Sequence, residues 1–476
     1  MLKILLVSTE VNPYSKSGGL GDVAGSLPKA LREKGADMRV VMPLYKSVPA
    51  HLLTNAREIY TFEMQLGWRT QPATILSIDD EIYFIKNDHY FTRDGVGYYG
   101  HDDDFERFAF FSKAAVEMLG HIGFQADILH FNDWHTGLGP TYLRDIYSKF
   151  TYYSKMKSLF TIHNLHYQGV FGRDVLPEIG LDDGYFTNGD LEFHGNISYL
   201  KAGIAHANAV STVSQTYAQE IQTPAYGYGM EGLLHKRGTA PGKLYGITNG
   251  IDTEANNPET DPRLYVNFNA DSLENKRENK HRLQQELGLP QSDAPMLGIV
   301  SRLAEQKGFD ILSIIMDELC GLDIQLVVLG TGEERYENML KHFAGRFPHK
   351  ISANITFDAT LAQRIYAGAD IFLMPSVYEP CGLGQLFAMR YGTVPIVRKT
   401  GGLADTVRHF NAESSAGNGF LFEDYVASGL MWAIRQALDI YGTPHWTRVV
   451  KNAMAGDYSW EQAAEEYVGM YREMLR

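Results

Sequence analysis

The segment Lys16-Ser17-Gly18-Gly19-Leu20-Gly21-Asp22-Val23 returns 383 positions later as Lys399-Thr400-Gly401-Gly402-Leu403-Ala404-Asp405-Thr406-Val407. Each copy follows a short apolar run, at 4–7 and at 394–397, and each leads into helix-compatible sequence. A strand, a glycine turn and a helix start therefore occur twice. Paired glycines let the backbone take positive φ and approach a ligand closely, and the free N–H groups at a helix N-terminus attract an anion such as phosphate. One such turn constrains little. Two, in opposite halves of the chain, predict two nucleotide-type α/β domains facing each other across a cleft.

At 476 residues the chain exceeds what one hydrophobic core usually serves, which agrees with two domains. A formal charge of −14 argues against a nucleic-acid or anionic-membrane partner, since basic surfaces drive those associations. Only two cysteines occur, Cys320 and Cys381, so a disulfide framework is ruled out and a reducing compartment is expected. The first residues read directly as a strand, without the basic region and cleavage site of a signal peptide, and no apolar run approaches the ~20 residues of a membrane span. The expected location is the cytoplasm.

Along the chain, short β-rich runs alternate with longer amphipathic stretches, the pattern of parallel sheets with crossover helices. The runs fall at 4–7, 39–42, 82–85, 128–131, 159–162, 210–213 and 244–247, then at 297–300, 324–329, 351–355, 371–374 and 394–397. Between the two sets, Asn249-Gly250-Ile251-Asp252 and Asn256-Asn257-Pro258 form a cluster of turn residues, which predicts a hinge. The expected architecture is α/β: two Rossmann-like doubly wound domains, 1–248 and 249–456, facing a deep interdomain cleft, with a C-terminal helix in 457–476 packing back on the first.

Ligands of open α/β sheets bind beyond the carboxyl ends of the strands. After the fourth run come Asn132-Asp133-Trp134-His135, and after the fifth His163-Asn164-Leu165-His166-Tyr167-Gln168-Gly169. In the second half, Ser301-Arg302-Leu303 and Gln306-Lys307-Gly308 follow the first run, and Pro375-Ser376-Val377-Tyr378-Glu379-Pro380-Cys381-Gly382-Leu383 follows the fourth. Polar and charged groups concentrate at these strand ends, as an anionic, polyhydroxylated ligand requires.

Lys16-Ser17-Gly18-Gly19-Leu20, Asp133-Trp134-His135, Thr161-Ile162-His163-Asn164, Tyr228-Gly229-Met230-Glu231-Gly232, Asn249-Gly250-Ile251-Asp252, Ser301-Arg302-Leu303 with Gln306-Lys307-Gly308, and Glu379-Pro380-Cys381-Gly382-Leu383 stand in this order. The sequence resembles, nearly end to end, the bacterial glycogen synthases and plant starch synthases. The resemblance implies the GT-B architecture and a retaining glucosyltransferase that moves glucose from ADP-glucose to the non-reducing 4-hydroxyl of an α-1,4-glucan in glycogen biosynthesis. It implies no metal and no further cofactor. UDP-glucose as donor, and a non-catalytic glucan-binding protein on the same fold, are the alternatives.

The residues themselves explain how such a reaction would run. Breaking the bond between the anomeric carbon and the diphosphate leaves extra negative charge, which metal or fixed cations must neutralise. Arg302 and Lys307, five residues apart after a strand, and Lys16 from the other domain can supply three cations. Arg binds two phosphate oxygens at once whereas Lys is a compact point charge, so neither exchange is conservative. Backbone N–H groups of Gly18, Gly19, Gly382 and Leu383 add donors. By resemblance, Glu379 accepts hydrogen bonds from glucose hydroxyls, His163 and Asn249 contact the sugar, and Asp133 lies near the reacting centre. Retention through a covalent intermediate needs two carboxylates roughly 5 Å apart. The family instead favours a front-face displacement in which the leaving phosphate helps deprotonate the incoming hydroxyl.

Other features have structural readings. Gly227-Tyr228-Gly229-Met230-Glu231-Gly232 fits the dinucleotide fingerprint, but no strand precedes it. His130, Asp133 and His135 have metal-like spacing, although strand-end histidines are usually hydrogen-bonded structural groups. Cys381 reads as a small residue in a tight substrate-binding turn rather than as a nucleophile. Tyr90, Phe91, Tyr98 and Tyr99 suit stacking on glucan rings, core packing or a lid. Thr356-Phe357 stands where the family usually has Gly-Tyr at the adenine, keeping the stacking face and losing the hydroxyl. Val377 replaces a common Arg.

Overall fold

The strand Lys3–Val7 (β1) lies between two parallel neighbours, and its last four residues, Ile4, Leu5, Leu6 and Val7, are all fully buried. A strand covered on both faces reads as a continuous apolar run, and each such side chain removed from water stabilises the fold by roughly 1.5–3 kcal/mol. The computed structural model describes residues 1–93, 97–240 and 243–476. It divides into two compact units, 1–249 with 460–476, and 250–459.

In the first unit the further strands are Asp37–Pro43 (β2), Arg57–Leu66 (β3), Arg69–Ile78 (β4), Ile82–Lys86 (β5), Ile128–Asn132 (β6), Lys157–Ile162 (β7), Val170–Phe171 (β8), Glu192–Phe193 (β9), Asn196–Ser198 (β10), Ala209–Thr212 (β11) and Leu244–Gly246 (β12). Eight of them join β1 in one nine-stranded sheet, in the order β12-β11-β7-β6-β1-β2-β5-β4-β3, parallel from β12 to β5. From β1 the chain builds outward through β2 and then returns to add β6 on the opposite side. The strand order therefore reverses between β1 and β6, and the crevice for a ligand opens beyond their carboxyl ends.

The antiparallel hairpin β3–β4 closes one edge. Phe62, Met64 and Leu66 are buried while Glu63 and Gln65 are exposed, and Gly67 makes the tight turn at φ +55°. This period-two alternation carries no continuous apolar run, the signal that marks only the doubly covered parallel strands. The small sheet β8-β10-β9 has strands of two or three residues, too short for a sequence pattern.

The helix Gly19–Glu33 follows β1 and buries Leu20, Val23, Ala24, Leu27 and Leu31, the stripe of a helix on a sheet. The C-terminal helix Glu461–Met474 packs beside it. Lys34 is paired with Glu461 and Glu465, the latter at 2.9 Å, and Tyr471 OH meets His130 Nδ1 at 2.9 Å. His130 Nε2 in turn meets Thr161 Oγ1 at 2.6 Å, which meets Ser211 Oγ at 2.6 Å, so a buried polar chain crosses β6, β7 and β11.

The second unit holds Met296–Val300 (β13), Gln325–Leu329 (β14), Ile351–Asn354 (β15), Ile371–Met374 (β16), Val394–Arg398 (β17) and Phe420–Phe422 (β18). They form one parallel sheet in the order β15-β14-β13-β16-β17-β18. Here the order reverses between β13 and β16, the second crevice of the chain. The boundary between the units falls inside the turn cluster expected as a hinge, between 249 and 250, and from 250 on the cluster is tied into this unit: Asp252 Oδ1 accepts the Glu254 and Ala255 N–H groups, both at 2.9 Å, and Ile251 N–H bonds to Tyr458 O at 2.8 Å.

Candidate active site

In the first unit, Asp133 directly follows β6 with φ +57°, a left-handed conformation that costs a non-glycine residue of order 1–3 kcal/mol. Its Oδ1 accepts the backbone N–H groups of His163 at 2.7 Å and Asn164 at 3.4 Å, so one carboxylate ties the end of β6 to the end of β7. Burial pushes this carboxyl up to about 7, against the pull of those two N–H bonds, and the Glu10 carboxylate adds to the rise.

The His163 ring is fixed through Asn132, whose Nδ2 donates to Val7 O and His130 O, both at 3.1 Å. Asn132 therefore presents Oδ1 to His163 Nε2 at 2.9 Å, and the histidine must carry its proton there. Burial lowers His163 to about 3, so the ring is neutral with Nδ1 as its acceptor. His130 is lowered to about 3 in the same way, with both nitrogens engaged by hydroxyls. His135 stacks on Tyr99 at 4.3 Å. These two histidines serve packing, and among the described residues no group of three His, Cys, Asp or Glu is placed to hold a metal ion.

The glycine turn after β1 differs from its expected form. Glu10 is buried, and its Oε2 accepts the N–H groups of Ser17 and, at 3.2 Å, of Gly18, while Oε1 accepts Ser17 Oγ at 2.7 Å and Tyr99 OH at 2.5 Å. The Gly18 N–H expected to meet a phosphate is thus bonded to a carboxylate of the chain. A Cβ on Gly18 would meet nothing within 4 Å, whereas one on Gly25 would stand 2.4 Å from Asn12 O. The close approach in this turn belongs to Gly25, two helical turns further on. Gly19 opens the helix, and Lys16 Nζ pairs with Asp22 Oδ1 at 2.8 Å. Asn249 follows β12, with its amide oxygen buried and without a hydrogen-bond partner among the described residues.

In the second unit, Lys307 Nζ stands 2.6 Å from Glu379 Oε2, which also accepts Ser376 Oγ at 2.9 Å. These groups come from the two loops that flank the β13–β16 reversal. Val377 N–H bonds to Gln306 O at 2.9 Å, and Gly308, at φ +81°, has Pro375 O where a Cβ would be, 2.1 Å away. Arg302 is exposed beside them, its Nη2 3.4 Å from Gln306 Oε1. Gly382 turns at φ +72° ahead of Leu383 and the helix Gly384–Arg390, and Cys381 is buried and not in a disulfide. Arg398 donates to Val377 O, so a guanidinium stands beside the residue that replaces the common Arg. Phe357, beyond β15, is 84% exposed, a ring face open for stacking.

The second glycine pair packs against this loop. Gly402 N–H bonds to Glu379 O at 3.1 Å and Pro380 O at 3.2 Å, and a Cβ on Gly402 would lie 2.1 Å from Cys381 O. Asp133 and His163 are thus joined in one unit, and Arg302, Lys307, Glu379, Cys381, Gly382 and Leu383 around one reversal in the other. Glu10, Asn132 and Ser376 had no role in the sequence reading. Glu10 lies three residues beyond the end of β1, in the same kind of strand-end loop as the others.

Tyr90 and Phe91 are core residues and Tyr99 is held by Glu10, so the aromatic stretch is packing, with 94–96 lying outside the described residues. The fingerprint at 227–232 is a turn leading into the helix Glu231–Gly238, with no strand before it.

Two Rossmann-like sheets, each with charged loops at its point of reversal, define a glycosyltransferase of the GT-B class. Residues 3–236 match the starch synthase catalytic domain and residues 280–454 the glycosyl transferases group 1. The chain is 48% identical over its whole length, and 99% of the relative's, to a glycogen synthase of Clostridium novyi, and 46% identical to one of Clostridioides difficile, covering 99% and 100%. The catalytic domain of starch synthase IV from Arabidopsis thaliana, solved with ADP and acarbose, superposes with a TM-score of 0.93 at 33% identity, covering 100% of this chain and 99% of that one. The chain belongs to the glycogen synthase and starch synthase family. Among the described residues no helix is long and apolar enough to cross a membrane.

Proposed function

We propose that the chain transfers glucose from ADP-glucose to the non-reducing 4-hydroxyl of an α-1,4-glucan with retention of configuration. The observation that carries this reading is the Lys307–Glu379 pair at 2.6 Å, a cation and a carboxylate held together at the second unit's point of reversal. Lys307 and Arg302 take the charge that develops on the departing diphosphate, and Lys16 adds a third cation. Glu379, with Ser376 holding one of its oxygens, accepts hydrogen bonds from hydroxyls of the glucosyl group. Phe357 stacks on the nucleobase, and the Gly382 and Leu383 N–H groups add donors toward the phosphates.

On the sugar side, His163 Nδ1 is an uncharged acceptor for a glucose hydroxyl, and the Asn249 amide oxygen is another. In a front-face displacement the anomeric carbon leaves the phosphate oxygen and bonds the incoming O4 on the same face. The hydroxyl proton passes to the departing phosphate. The cations take the place of a metal in this scheme. The Arabidopsis starch synthase was solved with ADP, which supports an adenine donor.

Supplying glycogen with either ADP-glucose or UDP-glucose, and measuring nucleotide release and glucan elongation, tests the reading. Elongation with ADP-glucose in excess chelator is the expected result. Turnover with neither donor defeats the proposal, preference for UDP-glucose corrects the donor, and activity restored only by a divalent ion removes the metal-free step.

A further inference from the structure

We infer that a groove beside Trp432, on the second unit, is a docking subsite for α-1,4-glucan chains, separate from the transfer centre. The groove encloses about 530 Å³ at the carboxyl ends of β17 and β18, and Trp432, His409, Val426, Lys399, Glu423 and Asp424 line it. That volume is in the range of small-molecule sites. Trp432 is 50% exposed and Val426 46%, an apolar surface that no other part of the unit covers.

The platform is rigid and uncharged. The His409 ring stacks on Trp432 with centroids 5.8 Å apart and planes 17° from parallel. Its Nδ1 accepts the Leu421 N–H at 3.1 Å, which fixes the ring and leaves the proton on Nε2, and burial lowers its pKa. The rim carries carboxylates at Glu423 and Asp424, with Lys399 Nζ 2.7 Å from Glu423 Oε1.

A pyranose has an apolar C–H face and a belt of hydroxyls. An exposed indole suits the first, and carboxylates, which only accept, suit the second. Two carboxylates against one already paired lysine repel phosphate, so the same groove rejects a nucleotide. A polymer of glucose is the ligand with many such faces, and here the inference rests on the proposed acceptor. The groove lies on the same sheet edge as the donor loops: Arg398 donates to Glu423 O at 3.3 Å and also to Val377 O, two residues before Glu379. A chain held there raises the local concentration of glucan ends near the reaction.

Native electrophoresis through glycogen-containing gels, with the full chain carrying Glu379→Gln to stop elongation, reads binding alone. Adding Trp432→Ala is expected to weaken retardation by glycogen about tenfold, and Trp432→Phe to recover most of it, since the stacking face returns. With Glu379 intact, Trp432→Ala raises KM for glycogen while KM for ADP-glucose moves less than twofold. Equal retardation of the Trp432→Ala and parent chains overturns the inference, as does equal loss in Trp432→Ala and Trp432→Phe when both melt at the parent temperature. Trp432-dependent retardation, with no glucose transfer by the chain that keeps Glu379, would sink the proposed function and leave the subsite standing. Transfer without Trp432-dependent retardation would do the reverse.

Discussion

A Cβ on Gly401 would lie 2.0 Å from the carbonyl oxygen of Glu379, and Gly401 itself sits at φ +45°. The second glycine pair is therefore the wall against which the Glu379 turn is built. Gly401→Ala should displace that turn, lowering kcat/KM by about 10²-fold, as a shift of about 1 Å in a positioned group does, and lowering the melting temperature. Gly18→Ala, with open space around the missing Cβ, should change stability by no more than about 0.5 kcal/mol. Thermal melts and steady-state kinetics of the two variants check the contrast.

The Asp133 carboxyl, held up at about 7, makes stability depend on pH. Between its ordinary range near 3.8 and about 7, the folded chain keeps a proton that the unfolded chain has lost. The contribution of this group to stability therefore falls as pH rises through that window and is level above it. The melting temperature of Asp133→Asn relative to the parent should rise between pH 5 and pH 8. Glu10→Gln removes a negative charge that helps hold the proton, so it should move the transition to lower pH. It should also destabilise by about 1–3 kcal/mol, because a carboxylate that caps Ser17 and Gly18 is replaced by a poorer acceptor.

Lys16 is 40% exposed, so solvent screens its pair with the more buried Asp22, which is worth about 1 kcal/mol. Lys16→Ala should consequently leave the melting temperature nearly unchanged while activity with ADP-glucose falls by at least about tenfold, the value of one phosphate-stabilising charge. A drop in stability without one in activity would assign the lysine to the fold.

Lys307→Ala leaves the largely buried Glu379 carboxylate with Ser376 Oγ as its remaining close partner. The predicted loss is about 10²–10³-fold in kcat. Lys307→Arg should recover little, because a planar fork does not replace a point charge at 2.6 Å. Single-turnover rates with ADP-glucose and maltohexaose separate this from an effect on binding.

Much of the site was legible because the chemistry lies where parallel strands end, and continuous apolar runs mark such strands. Asp133, His163, Arg302, Lys307 and Glu379 each follow one of those runs. The partners that shape them were less visible. The bond from Gly18 to Glu10, and the contact of Gly401 with Glu379, join residues through turns whose geometry no local pattern fixes. The repeated glycine motif pointed to two Rossmann-like halves but concealed unequal jobs: one copy is capped by a carboxylate, and the other supports the turn that carries one. The hairpin β3–β4 is written in period-two alternation, which continuous apolar runs do not mark because one of its faces meets solvent.

Proton NMR of the anomeric region, recorded as the chain acts on ADP-glucose and maltohexaose in excess chelator, tests the central claim most directly. The account predicts new α-1,4 anomeric signals growing in step with ADP release. New β-anomeric signals, or ADP release without elongation, would contradict it.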